Sequence, residues 1–103
     1  MMRRVLFIVT SDPRESARPA EALRTAAGIA VWKEAEVTMC FCGAAARVLS
    51  ENVGTLRESE SLERHVEILR EAGARLLCAE KANEADYRKI TDEIFRAESV
   101  GVW

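Results

Sequence analysis

The sequence predicts a small α/β domain of three layers, in which helices cover both faces of a flavodoxin-like, mostly parallel sheet of three to five strands. Short apolar runs alternate with longer segments whose apolar residues recur at helical spacing; the runs cover residues 4–10, 36–42 and 76–79. Strands that alternate with helices pair in parallel through right-handed crossovers. A length of 103 residues, with 49% apolar and 31% charged side chains, fits one domain over residues 1–103.

Each element has a signature of its own along the chain. The runs at 4–10 and 36–42 are apolar on both faces, which is typical of strands that are covered on both sides. Pro19 is tolerated only in the first turn of a helix, so the first helix is predicted to begin soon after Ser16 and to reach Trp32. Three more helices and a final short strand are predicted over residues 44–50, 59–72, 84–97 and 100–103, respectively.

The third apolar run ends at a cysteine, Cys78, close to the carboxyl end of its strand. In parallel α/β sheets this is the end at which ligands bind and chemistry occurs. A thiol there ionises more readily when it lies near the helix that opens at Asn83 and near the amino group of Lys81. The alternative is that Cys78 fills space as a small apolar side chain, since free cysteines are among the most buried residues.

Two polar residues, Ser11 and Asp12, directly follow the first strand. In a flavodoxin-type strand order the first strand lies between the second and the third, and the binding crevice opens between the carboxyl ends of strands one and three. This order predicts that Ser11 and Asp12 lie beside Cys78, where they would bind an anion or orient a partner's sulfur. A simple turn after a strand is the more ordinary role for both residues.

The remaining metal-ligating side chains point to packing rather than to a metal site. Cys40 and Cys42 share one face of the second strand, and a two-thiol chelate is the alternative to core filling. A closed zinc site needs about four ligands, commonly at turn-like spacing. A resolving role for Cys42 is disfavoured because the first strand would separate it from Cys78. His65 is expected to be half-buried on its helix, and neither a metal nor a cofactor is predicted.

Charge and composition narrow the class of partners. Fifteen basic and 17 acidic residues give a net charge of −2, so no basic footprint for nucleic acid is present. The longest apolar run is too short to span a bilayer, and no membrane partner is expected. Three cysteines without framework spacing predict a reducing, cytoplasmic setting. Trp32, Trp103 and the apolar C-terminus predict a homo-oligomer.

Several segments together resemble the DsrE-like family of sulfur-relay proteins. These segments are RVLFIVTSDP at 4–13, an alanine-rich helix, EVT at 36–38, CG at 42–43, and LERHV through EAGA at 62–74 followed by Cys78. The resemblance covers most of residues 3–80. It implies that Cys78 accepts a sulfane sulfur as a persulfide and passes it between donor and acceptor proteins, as a sulfurtransferase-type carrier. It also implies a homo-oligomer, with trimers or hexamers among the expected assemblies.

A second hypothesis comes from a different functional class. The residues that follow Cys78, at 79–82, depart from the family pattern. The alternative to a sulfur carrier is therefore a non-catalytic, oligomeric α/β module that binds a small ligand or a partner protein through the same crevice.

Overall fold

Four strands alternate with three α-helices and one 3-10 helix in the computed structural model, which describes residues 3–50, 56–79 and 84–103. The elements follow the predicted order, and most predicted boundaries lie within one or two residues of the observed ones. They are β1 Arg3–Val9, α1 Arg18–Val31, β2 Ala35–Cys42, the 3-10 helix Gly43–Leu49, α2 Ser59–Glu71, β3 Arg75–Ala79, α3 Glu84–Arg96 and β4 Ser99–Val102.

All four strands pair in parallel in one sheet with the order β3-β2-β1-β4. The predicted fold class is therefore confirmed. The predicted order within the sheet is wrong, because β1 does not lie between β2 and β3. Instead β2 pairs directly with β3, with Phe41 opposite Cys78, and β1 lies between β2 and β4.

The direction of the crossovers places the helices in two layers. From β1 to β3 the chain moves along the sheet in one direction, and α1 and α2 pack on one face. After β3 it returns past β2 and β1 to β4, and α3 covers the opposite face. A right-handed crossover that reverses direction has to change faces, so this strand order requires the third layer.

The larger core lies between the sheet and the α1–α2 layer. The strands contribute one face of alternating side chains, and α1 contributes mainly alanines that let its backbone approach the sheet closely. The bulkiest members of this core are Phe7, Leu23, Met39, Phe41, Leu62 and Leu69. At about 1.5–3 kcal/mol for each large apolar side chain, this layer supplies most of the hydrophobic stabilisation.

The core under α3 is smaller and contains a charge. Leu6, Cys40 and Ala79 are buried there, and Ile90 packs against them. Glu93 is only 6% exposed, and its carboxylate accepts hydrogen bonds from Arg75 on β3, with one nitrogen–oxygen distance of 2.9 Å. A buried carboxylate needs such a partner, because charge is costly to remove from water. None of the helices in the described ranges is long and apolar enough to cross a membrane.

Two helices end in the same hydrogen-bonded turn but with different residues at its critical position. At the end of α1 the amides of Lys33 and Glu34 donate to the carbonyls of Ala30 and Ile29, the pattern of a Schellman turn. Gly73 holds the equivalent position after α2, with a φ of 84°. Lys33 has a φ of 54° and is therefore a non-glycine residue in the left-handed region.

We predict that Lys33→Gly raises the free energy of unfolding by up to about 1 kcal/mol. The left-handed conformation costs an L-residue roughly 1–2 kcal/mol, and the extra freedom of glycine in the unfolded chain offsets about 0.4–1 kcal/mol of that gain. Urea denaturation measures the change as a higher midpoint at constant slope. Gly73→Ala is the reverse control. It should lower the free energy of unfolding because it places an L-residue in the left-handed region, although no atom lies within 4 Å of the added Cβ. Equal stability of the Lys33 variant and the parent would contradict the strain argument.

Candidate functional site

The carboxyl ends of the strands meet at one edge of the sheet, here called the carboxyl edge. Because the strands are parallel, the residues that end β3, β2 and β1 stand side by side in that order. They are Ala79 at the end of β3, Cys42 and Gly43 at the end of β2, and Thr10 and Ser11 after β1. The end of β2 therefore lies between the ends of β3 and β1.

Cys78 lies one residue before the end of β3, which is an outer strand of the sheet. Its side chain is partly exposed and packs against the larger core on the α1–α2 face. Its carbonyl oxygen accepts a hydrogen bond from Lys89 Nζ on α3, at 3.4 Å. The predicted neighbours Lys81 and Asn83 lie outside the described residues.

The crossovers on either side of Cys78 leave the sheet toward opposite faces. The chain that follows β2 leads to α2, on the α1–α2 face, whereas the chain that follows β3 leads to α3, on the other face. In open α/β sheets the ligand crevice forms at the carboxyl ends where the strand order reverses, which in the order β3-β2-β1-β4 is between β1 and β4. The crevice expected from the strand order therefore lies between the ends of β1 and β4, beside Ser11, and not beside Cys78 on the outer strand β3.

The two cysteines of β2 form a close pair on the face that α3 covers. The Sγ atoms of Cys40 and Cys42 lie 3.9 Å apart. Cys40 is buried, and desolvation, followed by the neighbouring thiol of Cys42, raises its pKa to about 12. Its thiolate is therefore scarcely populated at neutral pH. Cys42 is half-buried at the carboxyl edge.

The argument that a strand separates Cys42 from Cys78 is wrong, because their strands are hydrogen-bonded neighbours. What separates the two thiols is the sheet itself. Cys78 shares the face of Phe41, while Cys42 is paired with Ala79 and belongs to the opposite face. The half-buried Cys42 was placed in the core by sequence reasoning. Its location at the carboxyl end of a strand was the signal that could have identified it.

The prediction that Ser11 and Asp12 lie beside Cys78 is wrong for the same topological reason. Because β2 lies between β1 and β3, and adjacent strands are about 4.8 Å apart, the ends of β1 and β3 are separated by roughly 10 Å. The Asp12 carboxylate instead accepts hydrogen bonds from the side chain of Arg14, the shortest at 2.8 Å, and from its backbone amide at 2.9 Å. These bonds lower the pKa of Asp12 to about 2.

The loop that holds Asp12 is a well-satisfied turn. The carbonyl of Asp12 accepts hydrogen bonds from the amides of Glu15 and Ser16, and Pro13 is fully buried. The amide of Ser11 donates to the carbonyl of Trp103, which ties the end of β1 to the chain after β4. The ordinary role of both residues, in closing a turn, is therefore the one that the contacts support.

The lone histidine and the candidate metal ligands show no sign of a metal site in the described part of the chain. His65 Nδ1 lies 2.8 Å from the carbonyl oxygen of Ser61 within α2, half-buried as expected. Among the described residues, no group of three or more histidine, cysteine, aspartate or glutamate side chains is arranged to hold a metal ion. Lys89, which contacts the backbone of Cys78, was not singled out in the sequence. Its position on α3, the helix that follows β3, was the only available signal.

Comparison with known proteins identifies a structural neighbour. No family model and no curated protein matches the sequence. Among solved structures, the ychN protein from E. coli is similar with a TM-score of 0.81 over 99% of this chain and 100% of that chain. Their sequences are 11% identical. At this level of identity the likeness establishes a shared fold.

We predict that Arg14→Gln moves the pKa of Asp12 from about 2 toward the ordinary value of 3.8, because it removes the strongest hydrogen bonds to the carboxylate. The carboxyl carbon resonance followed by NMR during an acid titration measures the shift. Since the folded-state pKa is depressed, the stability that this contact contributes is complete above about pH 4 and is lost as the pH falls through about 2. Arg18→Gln, an exposed arginine without a bond to Asp12, is the control. An unchanged titration in the Arg14 variant would show that another group sets this pKa.

Proposed function

We propose that this protein is a cysteine-persulfide sulfur carrier, with Cys78 as both acceptor and donor of the sulfur. The observation that carries the proposal is the location of a partly exposed thiol one residue before the carboxyl end of the outer strand β3, at the edge of a parallel sheet where ligands bind and chemistry occurs. The resemblance of residues 3–80 to the DsrE-like pattern, which ends on the same cysteine, supports it independently of the topology. We expect the carrier to act in the cytoplasm, between a sulfur-donor and a sulfur-acceptor protein.

The transfer needs only one nucleophilic sulfur on this chain. The thiolate of Cys78 attacks the terminal sulfur of a donor persulfide, R–S–SH. The new bond makes Cys78 a persulfide, and the donor leaves as the thiolate R–S⁻. An acceptor thiolate then attacks the terminal sulfur of the Cys78 persulfide, which regenerates the Cys78 thiolate. Each step exchanges one sulfur–sulfur bond for another, so no external oxidant or reductant is required.

The surroundings of the three thiols favour Cys78 for this role. Cys40 is buried, and its raised pKa keeps it protonated. Cys42 shares a face with Cys40 and lies under the α3 layer. Cys42 and Cys78 are similarly half-buried, but Cys78 lies on the outer strand β3 and on the α1–α2 face, away from the other two thiols.

We predict that Cys78→Ser abolishes the transfer of labelled sulfur from a low-molecular-weight persulfide, because the nucleophile is removed. Cys40→Ser and Cys42→Ser, which remove the other two thiols one at a time, should each retain most of the loading. Mass spectrometry of the intact protein measures the gain of one sulfur atom. If loading persists in the Cys78 variant and is lost in the Cys42 variant, Cys42 and not Cys78 is the residue that carries the sulfur.

Alkylation of the native protein provides an independent readout for the same variants. Cys78 should react faster than Cys40 by at least about two orders of magnitude, because a pKa near 12 leaves Cys40 almost entirely protonated. Peptide mapping after a timed reaction assigns each rate. Protection of Cys78 until the protein unfolds would exclude its function as a carrier.

A second candidate function is a non-catalytic, homo-oligomeric binding module, and the outer edge of β4 favours it. In the described sheet β4 pairs with β1 alone, so its other edge is available to a further strand or subunit. Val100 and Val102 point to the α3 side of this strand and are 44% and 62% exposed. Exposed apolar residues on an edge strand are typical of a surface that pairs with another chain.

We predict that Val102→Lys weakens self-association at least about tenfold, because it places a charge on this exposed apolar surface. Light scattering coupled to size-exclusion chromatography over a dilution series measures the change in mass. Val31→Lys, at a similarly exposed valine on α1, is the matched control. A mass that stays the same in the Val102 variant and falls in the Val31 variant would move the interface to the end of α1, near the exposed Trp32.

A further inference from the structure

A cavity of about 640 Å³ lies at the edge of the sheet opposite Cys78, here called the amino edge because the strands begin there. The starts of β1, β2 and β3 and the ends of all three α-helices line it. Its volume falls within the range of roughly 300–1,000 Å³ that is typical of small-molecule sites. Neither the proposed sulfur transfer nor the β4 surface uses this cavity.

The charged side chains that line the cavity carry a formal excess of two positive charges. They are Arg4, Lys33, Arg75 and Arg96, against Glu36 and Glu93. Two of the cations are compensated, because Arg75 pairs with Glu93 at 2.9 Å and Arg4 pairs with Glu36 at 3.5 Å. Within the described part of the chain, Lys33 and Arg96 form no ion pair. The excess is unexpected in a protein of net charge −2.

The helix ends limit the charge of a ligand that this cavity favours. The carbonyl end of a helix carries about half a negative charge, and three helices end here. Turn hydrogen bonds already satisfy the last carbonyls of α1 and α2, which weakens their field. The remaining partial charges still oppose a dianion such as a phosphate monoester more strongly than a single carboxylate.

Apart from Thr38, the uncharged side chains of the lining are apolar, and most of them are small. Leu6, Val37, Ala30, Ala35 and Ala97 contribute to it, and they offer hydrocarbon contacts without bulky side chains that would fill the space. Ligand sites commonly combine an apolar wall with a few polar groups that fix orientation. We propose that this cavity binds a small, singly charged organic anion, whose carboxylate contacts Lys33 and Arg96 and whose short hydrocarbon body lies against the alanine-rich wall.

The backbone of Lys33 provides an observation that is independent of the charge balance. Lys33 occupies the left-handed position of the α1 terminal turn at a φ of 54°, whereas α2 uses Gly73 in the same turn. Both residues line the cavity. Non-glycine residues in unfavourable backbone regions cluster at functional sites, where the side chain has a role that glycine cannot fill. An amino group that contacts a ligand gives Lys33 such a role.

The proposal is tested by titrating the protein with hexanoate and following the backbone amides by NMR. Saturable shifts are expected at residues 72–75, with a dissociation constant in the millimolar range because the ligand has few atoms. Lys33→Gly and Arg96→Gln should each weaken binding at least about fivefold, as expected for the loss of a charge-assisted contact. Lys33→Met, which keeps the backbone strain and removes the charge, should weaken binding like Lys33→Gly.

A control variant and two control ligands distinguish a specific binding site from general electrostatic attraction of anions. Arg24→Gln removes an exposed arginine on α1 that does not line the cavity, and it should bind hexanoate as the parent does. Hexanol and inorganic phosphate should each bind more weakly than hexanoate, because each lacks one half of the predicted complementarity. The absence of saturable shifts at residues 72–75, undiminished binding in the Lys33 and Arg96 variants, or an equal loss in the Arg24 variant would overturn the proposal.

Discussion

The position of β2 between β1 and β3 is the constraint on which the arrangement of this molecule depends. Val37, Met39 and Phe41 are buried on one face of β2, and Cys40 is buried on the other. A strand that is apolar on both faces has to be covered by both outer layers, which only an interior position provides. Once β2 is interior and β3 lies outside it, the return to β4 has to cross the opposite face, and α3 becomes the third layer.

This arrangement also determines which cysteines belong together. Cys40 and Cys42 point toward the α3 layer, and Cys78 points toward the α1–α2 layer. A dithiol mechanism within one chain would require two thiols on the same face, and the thiol that accompanies Cys42 there is the buried, protonated Cys40. Persulfide transfer by a single cysteine avoids that requirement, because the resolving thiol belongs to the acceptor protein. The topology is therefore more compatible with a one-cysteine carrier than with an internal disulfide cycle.

The pattern of apolar residues was sufficient to predict every element and the fold class, because periods of 2 and 3.6 are local properties of the sequence. Strand order is not local. The analogy with flavodoxin placed β1 at the centre, although consecutive strands are usually neighbours, and the predicted contact of Asp12 with Cys78 failed with it. The carboxyl-edge location of Cys78 follows from its own strand and is confirmed. The cavity could not have been predicted, because Lys33 and Arg96 come from helices on opposite faces that meet only in the folded chain.

The two edges of the sheet differ in a way that bears on their roles. At the carboxyl edge, Asp12 is held by Arg14, and the turn that follows β1 is saturated with its own hydrogen bonds. At the amino edge the cavity brings together Lys33 and Arg96, which form no ion pair among the described residues, and Lys33 adopts a left-handed backbone conformation, as Glu58 does at the start of α2. A chain selected for stability alone would place glycine at residue 33, as it does at residue 73. The contact proposed for Lys33 would account for a lysine at this position.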